Sequence, residues 1–148
     1  MRHTTQKGSA ILDAVVATAL FAVLFTGFFA LMQVGVKTIT EHKARAGALA
    51  VARSQVEYIR SLDYGSVGTS GGNPNGVVSA ASTETINAIP YTISTIISWY
   101  DDPSDGLAGA DSNPNDYKAI RVAVTWPEHA GQSGSVVLST FVADFEIE

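Results

Sequence analysis

The chain has 148 residues, with 14 Asp and Glu against 9 Lys and Arg, three His and no Cys, and it is 46% hydrophobic but only 16% charged. Those figures exclude a disordered segment, a disulfide scaffold and a Cys-ligated metal site. A net charge of -5 provides no basic stripe to follow a phosphate backbone, so nucleic acid is not expected as the main ligand.

The apolar residues are unevenly spread. From Ala14 to Val36 there is no charge, and only Thr18, Thr26, Gly27, Gln33 and Gly35 depart from an apolar run. As a helix rising about 1.5 Å per residue this stretch would be roughly 35 Å long, enough to cross a hydrocarbon core of about 30 Å with some tilt. A buried helix of a soluble core rarely goes six turns without a charge. A cleaved secretory signal has an apolar region of about 7 to 15 residues, shorter than this one. The lipid bilayer is therefore the expected surrounding. Flanking charge leaves orientation open, because Arg2 and Lys7 precede the run while Lys37, Lys43 and Arg45 follow it.

What precedes the run is short, basic and polar, and stops at Gly8 before any hydrophobic stretch. An ordinary signal peptide is cut after its apolar region. A leader ending before it predicts cleavage between Gly8 and Ser9, which would leave the apolar helix on the mature chain with Asp13 at its fifth position. A carboxylate in lipid costs about 2.5 to 3.5 kcal/mol at a helix centre and less near the interface, so Asp13 calls for a partner.

The order of basic leader, Gly8, cut, four residues, acid and apolar run resembles the signal of type IV prepilins and type II secretion pseudopilins. The resemblance implies that a prepilin peptidase cuts after Gly8 on the cytoplasmic side and methylates Ser9. It further implies that Asp13 recruits subunits by neutralising a neighbour's N-terminal amine. Other pilins or pseudopilins and an inner-membrane assembly platform are the implied partners. The N-terminus would be cytoplasmic and the remainder outside, in the cell envelope or a surface filament. The family usually has Phe or Met first and Glu fifth, so Ser9 and Asp13 point to an accessory subunit rather than the major one.

Helical periodicity continues past the run through Leu49, Ala52, Val56 and Ile59, with Lys43, Arg45, Arg53, Glu57 and Arg60 on much of the remaining surface. One helix is predicted from Ala10 to about Asp63, roughly 80 Å if continuous. Gly27, Gly35 and Gly47 weaken it by about 1 kcal/mol each, which predicts bends or local melting there, or close helix packing in a filament. Asp63-Tyr64-Gly65 reads as its end, with Gly65 as a left-handed cap. The Gly-rich stretch from Gly65 to Gly76 reads as a mobile loop.

From Tyr91 the period becomes two. Tyr91, Ile93, Thr95, Ile97 and Trp99 form one buried row, and Ile120, Val122, Val124 and Trp126 another. A third strand is expected over about residues 135 to 145 after a turn at Gly131 to Gly134, and Val77 and Val78 would begin a short edge strand. The fold class is then α+β: a long N-terminal helix on three or four antiparallel strands. The organisation reads as a leader at 1–8, a membrane half of the helix at 9–36, an amphipathic half at 37–64 and a β-rich ectodomain at 65–148.

The stretch Leu49 to Tyr64, with Asp116-Tyr117-Lys118 leading into Val124-Thr125-Trp126, also looks like V-type minor pilins and I-type pseudopilins.

Asp101, Asp102, Asp105, Asp111 and Asp116 concentrate oxygen ligands suited to calcium. The spacing of Asp111, Asn113 and Asn115 imitates an EF-hand opening, but Asp116 stands where Gly is needed and Val122 where the bidentate acid is needed. These acids read first as turn formers between strands, with an irregular calcium loop as the alternative, and no cofactor is expected. His3, His42 and His129 show no metal-ligand spacing, and no G-x-S-x-G or phosphate loop occurs, so no enzyme is expected. Residues 37–63 carry five basic and three acidic side chains, and residues 84–148 two basic and ten acidic. This polarity would orient subunits or simply keep the domain soluble. The leading expectation is a minor pilin or pseudopilin, a structural subunit of a type IV pilus or related pseudopilus. The alternative is a single-pass anchored ectodomain that binds without polymerising.

Overall fold

The computed structural model describes residues 7–103, 115–128 and 131–144, with residues 7–9 by backbone alone. The architecture is α+β. Helix α1 spans Lys7–Arg60, a short 3-10 turn spans Tyr64–Ser66, and four strands follow: β1 (Ala81–Ile86), β2 (Ile89–Tyr100), β3 (Tyr117–Pro127) and β4 (Ser133–Ala143). The chain divides into two compact units between Glu41 and His42.

The first unit is helix alone. Its helical assignment runs unbroken through Gly27 and Gly35, and through Gly47 in the second unit, so the melting expected at these glycines does not occur. Hydrogen bonds on either side hold each glycine in the helix.

The second unit has its own core. Its strands form one antiparallel sheet in the order β1-β2-β3-β4, each hydrogen-bonded to its sequence neighbour. Strict alternation along β2 and β3 buries Tyr91, Ile93, Thr95 and Ile97 on one and Lys118, Ile120, Val122, Val124 and Trp126 on the other. The end of α1 covers this face with Ala44, Ala48, Val51, Ala52 and Ile59, while Val56 packs at the margin. The stripe thus begins earlier than the run from Leu49 had indicated. Its alanines let helix and sheet approach closely, and a Cβ added at Gly47 would overlap the Tyr91 hydroxyl, which donates to the Ala44 carbonyl at 3.1 Å. Gly47 therefore serves packing inside this domain.

Four local expectations are corrected. Helix α1 ends at Arg60, because Asp63 is extended and the last carbonyls are taken by Ser61 and Leu62: the Ser61 hydroxyl donates to Tyr58 at 2.7 Å and the Leu62 N–H to Ile59 at 3.3 Å. Gly65 lies in the 3-10 turn and is not left-handed; among the described glycines positive φ belongs to Gly71 and Gly131. Val77 and Val78 do not start the edge strand. Val78 instead bridges back to Thr69, and the edge is β1, closed onto β2 by Asn87 and Ala88, both at positive φ. The third expected strand begins at Ser133, so Gly134 lies inside it.

The Gly-rich stretch is a run of turns and bends tied together by hydrogen bonds. The Val78 N–H donates to Gly68 at 2.9 Å, the Ser70 N–H to Val78 at 2.9 Å, and the Trp99 indole to Asn73 at 3.2 Å. Val67, Thr69 and Val78 are buried. Its glycines permit close backbone approach, since a Cβ on Gly68 or Gly76 would strike the facing strand of the loop.

Candidate functional site

From Ala10 to Thr40 every side chain of α1 is exposed, including Ile11, Leu24 and Leu31 at about seven-tenths of their full surface. The segment is long and apolar enough to cross a membrane, and none of its most apolar window is covered by the protein. Its hydroxyls are already satisfied. Thr18 donates back to the Ala14 carbonyl, and Thr26 to Ala22 at 2.8 Å and Val23 at 2.9 Å, removing the cost of a bare hydroxyl in an apolar medium. Phe21, Phe25 and Phe29 stack along one face, with centroids 5.4 and 5.1 Å apart.

Asp13 lies on this exposed helix, and no described residue bonds its carboxylate. Ser9 is one turn earlier, on the same face by helical geometry. Lys7 and Gly8 open the helix, and Arg2 lies outside the described residues. Asp13 and the backbone of Ser9 are thus one helical turn apart. Polar surface resumes with the exposed Lys37–Glu41 pair at 3.8 Å, a contact of little stabilising value in water.

Of the five acids considered for calcium, Asp105 and Asp111 lie outside the described residues. Asp116 accepts the Asp102 backbone N–H at 2.7 Å, which ties the end of β2 to the start of β3. Among the described residues no group of three or more His, Asp or Glu is gathered for a metal.

Lys118 entered the sequence reading only within the stretch Asp116-Tyr117-Lys118 and not as a buried residue, although the alternation that buries Ile120 and Val122 puts it in the same row. It is 3% exposed, donates to the Tyr64 carbonyl at 2.5 Å, and lies over the rings of Tyr64 at 4.2 Å and Trp99 at 5.1 Å. Burial lowers its pKa below the ordinary 10.5, and the negative charge of Asp144 opposes that shift. Burial raises Tyr64 above 10.0, assisted by Asp144 and Asp116. The cluster locks the turn after α1 onto the sheet, with the aromatic faces taking the place of water around the ammonium.

These features define a class: an α+β chain with one N-terminal helix of membrane-crossing length and composition. Comparison with known proteins adds no relative, since no family model, curated protein or solved structure matches the chain.

Proposed function

We propose that the chain is a membrane-inserted precursor, cut between Gly8 and Ser9 by a prepilin peptidase, whose helix joins like helices as a minor pilin or pseudopilin of a type IV pilus or related pseudopilus. The observation that carries this reading is the polar inventory of the apolar segment. The hydroxyls of Thr18 and Thr26 are satisfied by their own helix, whereas the Asp13 carboxylate has no bonding partner among the described residues. An unmatched carboxylate at the edge of a span needs a cation, and cleavage at Gly8 would create one in the Ser9 amine.

In the mature helix Asp13 would face its own amine one turn away as well as a neighbour's. Its shorter side chain reaches less far than Glu, which favours an accessory position in the assembly. The N-terminus would be cytoplasmic and residues 42–148 outside the membrane.

The test is the intact mass of chain purified from cells with a working prepilin peptidase. Loss of residues 1–8 and gain of one methyl is expected, with Gly8→Ala abolishing both. Asp13→Ala should leave processing intact and lower filament incorporation at least tenfold. A chain that keeps its initiator Met under those conditions overturns the reading in favour of an anchored binding domain, which the independent core of the second unit would equally serve.

A further inference from the structure

The loop between α1 and β1 carries a reactive pair. Of the five Asn residues in the chain only Asn75 precedes Gly. In a free chain this pair is labile: the Gly nitrogen, unhindered by a side chain, loses its proton and attacks the Asn Cγ. Ammonia leaves, a cyclic imide forms, and water opens it to Asp or isoaspartate, with nothing oxidised or reduced. Asn73 precedes Pro, whose nitrogen has no proton to lose, and the Cβ of Ala88 hinders the same attack after Asn87. The fold requires both members of the pair. A Cβ on Gly76 would strike the backbones of Gly68 and Ser66, and the Asn75 side chain accepts the Gly71 N–H at 2.9 Å where Gly71 takes positive φ. The same contacts restrain the reacting atoms. The Gly76 N–H donates to the carbonyl of the buried Thr69 at 3.3 Å. On either side the Thr69 N–H donates to Pro74 at 3.2 Å and the Val77 N–H to Ser66 at 3.1 Å, which fixes the peptides flanking the pair. Asn75 is itself exposed, so water reaches it and the backbone is the restraint.

We propose that Asn75-Gly76 is a latent deamidation site, closed in the native loop and released when the loop opens, and that its isoaspartyl product prevents reclosure. Ring closure removes the proton that Gly76 shares with Thr69, so the loop must first give up that bond. Opening of the loop alone is enough, because local opening is less costly than unfolding the domain. The two products differ in consequence. Asp keeps the backbone and still offers an oxygen to the Gly71 N–H. Isoaspartate routes the chain through the former side-chain carbonyl and adds a methylene to the backbone, which displaces Gly76 from Thr69 and Val78 from Gly68. A chain that stays open is thereby withdrawn irreversibly from the native population.

The test incubates the full chain in mildly alkaline buffer, folded in detergent micelles or unfolded in urea. Conversion at Asn75 is read from peptide masses, and isoaspartate is counted by enzymatic methyl transfer. The unfolded chain should convert at least about tenfold faster than the folded one. Folded Gly68→Ala, whose Cβ would strike the Asn75 backbone, should convert at least about threefold faster than the folded parent. Trp99→Phe, which drops the indole bond to Asn73, repeats that test should the first variant fail to fold. In urea both variants should match the parent. After refolding, the isoaspartyl chain should exchange the Ser70 and Val78 amides at least about tenfold faster than the parent, with the β2 amides still protected. The proposal is overturned by equal rates folded and unfolded, by no conversion in urea, by folded loop variants as slow as the parent, or by parental exchange at Ser70 and Val78 in the isoaspartyl chain. Cleavage at Gly8 does not enter these measurements.

Discussion

The helix residues before Glu41 and those after it belong to one continuous element yet meet opposite fates. Before the division, large apolar side chains such as Leu24 stay exposed; after it, Ile59 and Ala48 are fully buried against the sheet. Hydrophobicity alone does not decide burial. The later segment is sparser in large apolar residues but offers one alanine-rich stripe to a complementary sheet, whereas the earlier one is apolar on all sides and no single sheet could cover it. The earlier segment is long and apolar enough to cross a membrane.

That contrast is broken most severely by a charge in the middle of the apolar segment. Leu24→Arg should cost about 2.5 to 3.5 kcal/mol of insertion, roughly a hundredfold in the membrane-bound fraction measured by carbonate extraction. Ser94→Arg, on the exposed face of the sheet, should leave that fraction unchanged.

Next in size is Gly47→Ala, which forces a methyl against the Tyr91 hydroxyl and should destabilise the domain by about 1 to 3 kcal/mol in urea unfolding. Tyr91→Phe removes only the bond to the Ala44 carbonyl and should cost about 0.5 to 1.5 kcal/mol in the same assay. Gly27→Ala and Gly35→Ala meet nothing within 4 Å and should instead strengthen the helix by up to about 1 kcal/mol, read as helicity in micelles. If those glycines serve close packing between helices, the same substitutions will lower filament assembly while helicity rises.

The smallest effect is a pH dependence. Lys118 holds its proton less tightly folded than unfolded, so between its depressed pKa and 10.5 the unfolded chain carries more protons and stability rises with pH. Relative to Lys118→Met, the parent chain should gain stability as pH climbs toward 10. Above 10 the raised pKa values of Tyr64 and Tyr91 act with the opposite sign, since the folded state then keeps protons that the unfolded state has lost. A flat difference between parent and variant from pH 7 to 10 would remove burial as the cause.

Much of this was readable from residue order. The alternation of Tyr91 to Trp99 and of Ile120 to Trp126 located β2 and β3 because one buried face imposes a period of two. β1 escaped because its turn, Asn87-Ala88, puts an Ala where Gly would have marked positive φ, and because its residues are polar and exposed. The turns from Gly65 to Gly76 were legible in composition, but their folding onto one another was not, because composition records which residues tolerate close backbone approach and not whether another backbone is there. For the candidate site, Asp13 stood out as an acid beside an apolar run, whereas Lys118 looked like an ordinary strand residue.

By itself the sequence determined what depends on neighbours along the chain: a helix long and apolar enough for a bilayer, the periodicity of the central strands, and the α+β class. The tertiary structure decided what depends on distant residues meeting: the Gly47 contact with Tyr91, the aromatic seat of Lys118, and the place of β4 at the end of the strand order. Periodicity is a local property enforced by backbone geometry. Burial and edge position are set by which surfaces face each other, and that is fixed only when the whole domain closes around one core.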